Sequence, residues 1–165
     1  MEISQLPQNS NELTQVVKTK TFDPVIDEYF QELNDELSKI SFQLLPHQYL
    51  YFFDFYNFKL NLPDHNIYTV LGYGKDELHP QFMYEIIHPA DRLVVFKASA
   101  KSIYFAHKFP GSEPFKNTFS MDFRVKRKDD QYIRILRNTG VAVNDRHGNM
   151  VFSFSLNTEI SDIKK

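Results

Sequence analysis

Between Phe119 and Lys126 apolar and polar residues alternate one for one: Phe119, Met121, Phe123 and Val125 against Ser120, Asp122, Arg124 and Lys126. A period of two predicts a half-buried strand. The alternation returns at Phe152, Phe154 and Leu156, with Ser153 and Ser155 between them. Tyr132–Val143 reads as the strand in the middle, entered through the polar turn Lys128-Asp129-Asp130-Gln131 and left through the hairpin loop Asn144–Asn149. Earlier in the chain, Tyr49–Phe55 is an aromatic-rich first strand and Phe58–Leu62 a short second one.

Helical spacing fills the interval between these two groups. Pro63-Asp64 starts a turn through Ile67, Val70 and Leu71, and Gly72 is placed as its left-handed C-terminal cap. Asp76-Glu77-Leu78 suggests a short helix ending before Pro80, and residues 82–87 a compact apolar turn. From Asp91 onward Leu93, Val94, Phe96, Ala100, Ile103, Tyr104 and His107 recur at helical spacing, until Pro110-Gly111-Ser112-Glu113-Pro114 breaks the pattern. Near the start, Asp23 and Pro24 suit the entry of a helix whose apolar residues Ile26, Phe30, Leu33, Leu37 and Ile40 are spaced 4-3-4-3. That single seam is too short for an independent coiled coil, so it must pack on the domain or on its twin in a homodimer. The expected organisation is a flexible polar arm over 1–22, an amphipathic helix and linker over 23–47, and one domain over 48–163. Two strands, several helices and three closing strands predict an α+β fold: a five-stranded antiparallel sheet with its helices on one face.

Composition narrows the chemistry. No cysteine occurs among the 165 residues, which excludes disulfides, thiolate nucleophiles, cysteine-based zinc sites, iron–sulfur clusters and a cysteine–flavin adduct. A cytoplasmic location is the simplest expectation, with no apolar run long enough for a membrane span. Residues 1–91 carry 14 acidic and 5 basic side chains, whereas residues 92–137 carry 11 basic and 4 acidic. The imbalance raises a nucleic-acid surface at Arg124, Lys126, Arg127, Lys128, Arg134 and Arg137. Two halves that complement each other within one fold explain it more simply, and no direct nucleic-acid contact is expected. No serine elbow, phosphate-binding glycine loop, paired-carboxylate motif or zinc signature is present, so no catalytic residue and no metal ligand is assigned.

Five short motifs in order carry a family resemblance: Leu71-Gly72-Tyr73 with Asp76-Glu77-Leu78; His88-Pro89-Ala90-Asp91-Arg92; Phe123–Asp130; Asn144–Asn149; and Asn157–Lys164. Together they resemble a PAS domain of the His-Pro-x-Asp subgroup, over about residues 48–163. The resemblance implies a sensor whose helices enclose a small cavity, binding haem, a flavin or a small metabolite; the alternatives are a ligand-free dimerisation or protein-interaction module, or the sensor part of a histidine kinase or cyclase. The leading helix is also similar to the N-terminal part of LuxR-type transcription regulators. In such a regulator the DNA-binding domain would follow Lys165.

Several residues could form a site. His88, Pro89 and Asp91 read as a helix start, with His88 bonding the loop backbone and Asp91 capping or charging the first turn. His107 falls where haem-binding relatives carry an axial histidine. The aromatic residues Tyr51, Phe53, Phe55, Phe123, Phe152 and Phe154 either line a ligand cavity or, being bulky, fill the core solid. Tyr84, Tyr104 and Arg134 are the polar groups that would orient a metabolite. Candidate ligand contacts are therefore Phe53, Phe55, Tyr84, Tyr104, His107, Phe123 and Arg134, and the candidate dimer interface is Ile26, Phe30, Leu33 and Leu37.

Overall fold

Three long strands and a short pair build the floor of the molecule. In the computed structural model, which describes residues 11, 12, 15, 39, 43–63, 66–108, 117–145, 147 and 150–162, the strands are β1 (Gln48–Asp54), β2 (Lys59–Asn61), β3 (Thr118–Lys126), β4 (Tyr132–Asn144) and β5 (Met150–Glu159). They form one antiparallel sheet in the order β2-β1-β5-β4-β3. On it lie the helices α1 (Asn66–Leu71), α2 (Pro80–Glu85) and α3 (Pro89–Lys108), with a 3₁₀ turn at Lys75–Glu77. The α+β sheet-and-helix architecture expected from the patterning is the one observed. Among the described residues no helix is long and apolar enough to cross a membrane.

Boundaries differ where local chemistry is strong. The compact turn expected at 82–87 is the helix α2, because His79 caps it: its Nδ1 accepts from Phe82 N at 3.3 Å, and Pro80 takes the first helical position. Gly72 has φ +81° and its N–H donates to Tyr68 O, closing α1. Within the arm expected to be irregular, Asn11, Glu12 and Gln15 are helical. Their neighbours Leu13, Val16 and Val17 have helical spacing, a signal that the polar composition hides. The seam Ile26, Phe30, Leu33 and Leu37 and the break at 110–114 lie outside the described residues.

The helical layer is fastened to the last turn of β3. Ile86–His88 pairs with that strand as a short antiparallel bridge: Lys126 N donates to Ile86 O at 2.7 Å and His88 N to Arg124 O at 2.9 Å. Asp91 stands in the first turn of α3, yet its carboxylate does not cap the helix. It accepts from Arg124 N at 2.9 Å, Nε at 3.0 Å and Nη2 at 2.6 Å. His88 Nδ1 accepts from Ala90 N, as expected of a loop-bonding histidine. Arg92 closes the C-terminal end of α2, donating to Glu85 O and Ile87 O. The other motif docks beside it, with Lys128 N on Leu71 O at 3.0 Å and the Tyr73 hydroxyl on Lys126 O at 3.1 Å. Between layers lies an apolar core of Tyr49, Ile67, Leu71, Ile87, Val95, Phe123, Val125 and Ile135.

The Arg124 guanidinium, through its hydrogen bonds to the Asp91 carboxylate, lowers the Asp91 pKa from 3.8 to about 2. A carboxylate whose folded pKa is depressed stabilises the protein above its unfolded pKa, and loses that contribution as pH falls toward the folded value. Asp91→Asn should therefore lower stability by about 1–3 kcal/mol at neutral pH, read as a lower urea midpoint. The gap between the two proteins should narrow as pH falls from about 4 toward 2. A gap of constant size across that window would show that Asp91 acts through packing instead of charge.

Candidate functional site

A strand offers only one of its faces to the helical layer, and β5 offers its polar one. Tyr51 is paired across the ladder with Ser155, which is paired with Thr139; Phe53 is paired with Ser153, and Tyr49 with Asn157. Ser153, Ser155 and Thr139 line the space beneath α2 and α3 together with Tyr51 and Phe53. Phe152, Phe154 and Leu156 belong to the opposite face, in a cluster with Leu50, Phe52 and Val151. Both faces of the sheet are thus apolar at β1, and the inward serines leave room where phenylalanines would have filled it.

The room is a cavity of about 90 Å³, with a second of about 40 Å³ beside it. Tyr51, Phe53, Pro80, Tyr84 and Arg137 border both. Aromatic side chains frame the larger one without filling it. Phe53 meets Phe55 and Phe58 edge to face at 4.6 and 5.3 Å between ring centres. Phe58 reaches this position with φ +54°, a left-handed conformation costly for a bulky residue. The preceding turn is held by Asp54, whose carboxylate accepts from Tyr56 N, Asn57 N and Asn57 Nδ2. From α3, Ser99, Ser102, Ile103 and Ala106 close the roof; the small residues among them leave the space beneath the helix unfilled.

Among the described residues Arg137 is the one charged group in this lining, and it is 9% exposed. Nη2 donates to Ser99 Oγ at 3.1 Å and faces Met121 Sδ at 3.1 Å, while Nη1 reaches the Tyr51 hydroxyl only at 3.5 Å. Its carbon lies 4.9 Å from the centre of the Phe123 ring. Nε is buried with no hydrogen-bond partner. Among the described residues no carboxylate forms an ion pair with it. Burial opposes its charge, but the Tyr51 and Tyr84 phenols favour it, and the net direction is upward. Burial pushes the Tyr84 phenol up as well, against the pull of Arg137. The site therefore holds a charged guanidinium among neutral hydroxyls.

Of the candidate contacts, Phe53, Phe55 and Tyr84 line the larger cavity, and Phe123 the smaller one. Tyr104 is 38% exposed and lines neither. Arg134 points to the opposite face from Arg137, as neighbours in a strand alternate, and pairs with Asp122. The side chain of His107 lies outside the described residues, and the haem reading rests on it alone. Among the other basic residues considered for nucleic acid, Arg124 pairs with Asp91, Lys126 with Asp130, Arg127 with Asp129 and Lys128 with Glu77. Patterning missed Arg137. It occupies an apolar-phase position in β4, between Ile135 and Thr139, and that phase was the available signal.

The sheet order, the helices packed on one face and the cavity between them coincide with a family match: the profile described as the PAS fold (PAS_3) matches residues 63–154. The chain belongs to the PAS fold family. Solved PAS structures share its fold at low identity. The N-terminal domain of a diguanylate cyclase with a PAS/PAC sensor from Marinobacter aquaeolei has a TM-score of 0.58 at 16% identity, covering 69% of this chain and 95% of that one. The PAS domain of a Colwellia psychrerythraea protein has 0.56 at 14%, covering 79% and 98%. A sensory box histidine kinase/response regulator from Burkholderia thailandensis has 0.52 at 20%, covering 72% and 81%. No curated protein matches the sequence of this PAS domain.

Although the phenols favour the charged over the neutral guanidine, a buried charge without a carboxylate partner costs more than an apolar side chain of similar size. Arg137→Met should accordingly raise the urea midpoint of the ligand-free protein, by about 1 kcal/mol or more in stability. A clear fall would mean that the Ser99 and Tyr51 bonds outweigh the desolvation.

Proposed function

We propose that this PAS domain is a small-molecule sensor and signal relay, without catalytic activity of its own. The observation that carries the reading is the position of β5. Ser153 and Ser155 of this strand line the cavity, and the same strand lies in the middle of the sheet, between β1 and β4. Its C-terminal end is tied in turn to β4, with Ile160 N on Arg134 O at 2.8 Å and Arg134 N on Ser161 Oγ at 3.0 Å. A molecule that binds two arrangements of the sheet with different affinity shifts the population between them, and β5 carries that shift to residues 160–162.

The output belongs to the same proposal. The amphipathic segment 23–47 ahead of a PAS domain favours the sensor part of a LuxR-type regulator, dimeric through Ile26, Phe30, Leu33 and Leu37. DNA contact would then fall to a domain outside this segment. A cyclase or histidine kinase is the second reading, because two of the structural neighbours carry those names.

Ser153→Leu fills part of the cavity and mimics an occupied state, at an overpacking cost of about 1–3 kcal/mol. Hydrogen–deuterium exchange should then change along β5 and through residues 160–162, beyond the substituted position. Altered exchange confined to residues touching position 153 would argue against a relay through β5. Phe30→Asp combined with Leu33→Asp should give a monomer by light scattering, and a persisting dimer would place the interface elsewhere.

A further inference from the structure

We propose that the cavity binds a small monocarboxylic acid, its carboxylate on Arg137 and its apolar tail among Phe53, Phe55 and Ile103. This deepens the sensor reading and rests on it. A guanidinium offers five N–H donors in a rigid fork. Here Nη2 serves Ser99 and Met121, Nη1 makes one long bond to Tyr51, and Nε makes none. Structural arginines at this depth are held by a carboxylate or by several carbonyl oxygens, since an unbalanced charge away from water is costly. Neither is present among the described residues around Arg137. The ligand supplies what the protein lacks: a planar anion that can accept from the fork.

Charge and volume define the ligand further. One guanidinium balances one negative charge, so a carboxylate neutralises the site, whereas a phosphate dianion would replace a buried excess of positive charge with one of negative charge. Ser99 and Tyr51 can turn their hydroxyls toward the second carboxylate oxygen, because a hydroxyl both donates and accepts. One water occupies roughly 10–15 Å³ on this scale, so the cavity of about 90 Å³ admits roughly six to nine non-hydrogen atoms. That is the size of benzoate or hexanoate. The remaining wall is aromatic and aliphatic, which suits an aryl or short alkyl tail and disfavours a second polar end.

Calorimetric titration of the full chain with sodium benzoate, sodium hexanoate, benzyl alcohol and inorganic phosphate tests the assignment. At least one acid should bind saturably, and benzyl alcohol and phosphate at least tenfold more weakly. Arg137→Met and Arg137→Gln should each weaken acid binding at least tenfold while thermal unfolding stays cooperative, so that lost binding is separated from lost fold. Benzyl alcohol or phosphate binding as tightly as the acids would overturn the carboxylate assignment and leave the sensor reading intact. So would acid binding unchanged in both variants. No saturable binding of either acid also overturns it, and the sensor reading then stands or falls on the exchange measured in Ser153→Leu.

Discussion

Five residues at the end of an edge strand, Arg124–Lys128, hold the helical layer in place. Backbone groups of Arg124 and Lys126 pair with Ile86 and His88, the Lys128 amide binds Leu71, and Arg124 embraces Asp91. An edge strand normally leaves a row of unpaired donors and acceptors that invites another chain. Here the donors and acceptors receive the two loops that lead out of α1 and into α3. The fastening sits at one end of the sheet only. From there α3 runs out over β4 and β5 with Ser99, Ile103 and Ala106 turned inward, and the space beneath it can persist because the helix is anchored where it begins.

That geometry assigns different duties to the two ends of the sheet. Around Ile67, Leu71, Ile87, Val125 and Ile135 the layers are closely packed, with each of these residues at most 3% exposed. Under the middle of α3 the contacts are made by serines, an arginine and a few rings that stand apart. A packed core loses free energy whenever it is opened, whereas a space already present beneath the helix can accept a guest without disturbing that core. Stability resides at the clasp and adaptability resides beneath the helix.

The strands and the long helix were legible in the sequence because burial on one side forces periodicity. Motif order was legible too, since Gly72, Pro89 and Asp91 each have a local reason to be where they are. The orientation of β5 was not. Phe152, Phe154 and Leu156 look like the side of a strand that meets the helices, but this sheet has apolar neighbours on both faces. Alternation identifies two faces and leaves open which one looks inward. Arg137 was misread for a related reason: it stands in the apolar phase of β4, where a charged residue reads as solvent-facing decoration. Arg134, three positions before it in the same strand, took its place among the candidates although the alternation puts it on the other side. Patterning located the fold and the aromatic part of the cavity lining, and missed Arg137 and the inward serines, where polar side chains occupy positions that packing alone would give to apolar ones.

The central place of β5 has a mechanical side. Seven residue pairs join it to β1 and nine to β4, whereas β2 is held at the margin by three. A pull along the axis of β5 loads both ladders in shear, so many hydrogen bonds resist together. A pull on β2 would open its few bonds one after another, like a zipper. The strand that brings Ser153 and Ser155 to the cavity is therefore held along both of its edges, whereas β2 is held along one.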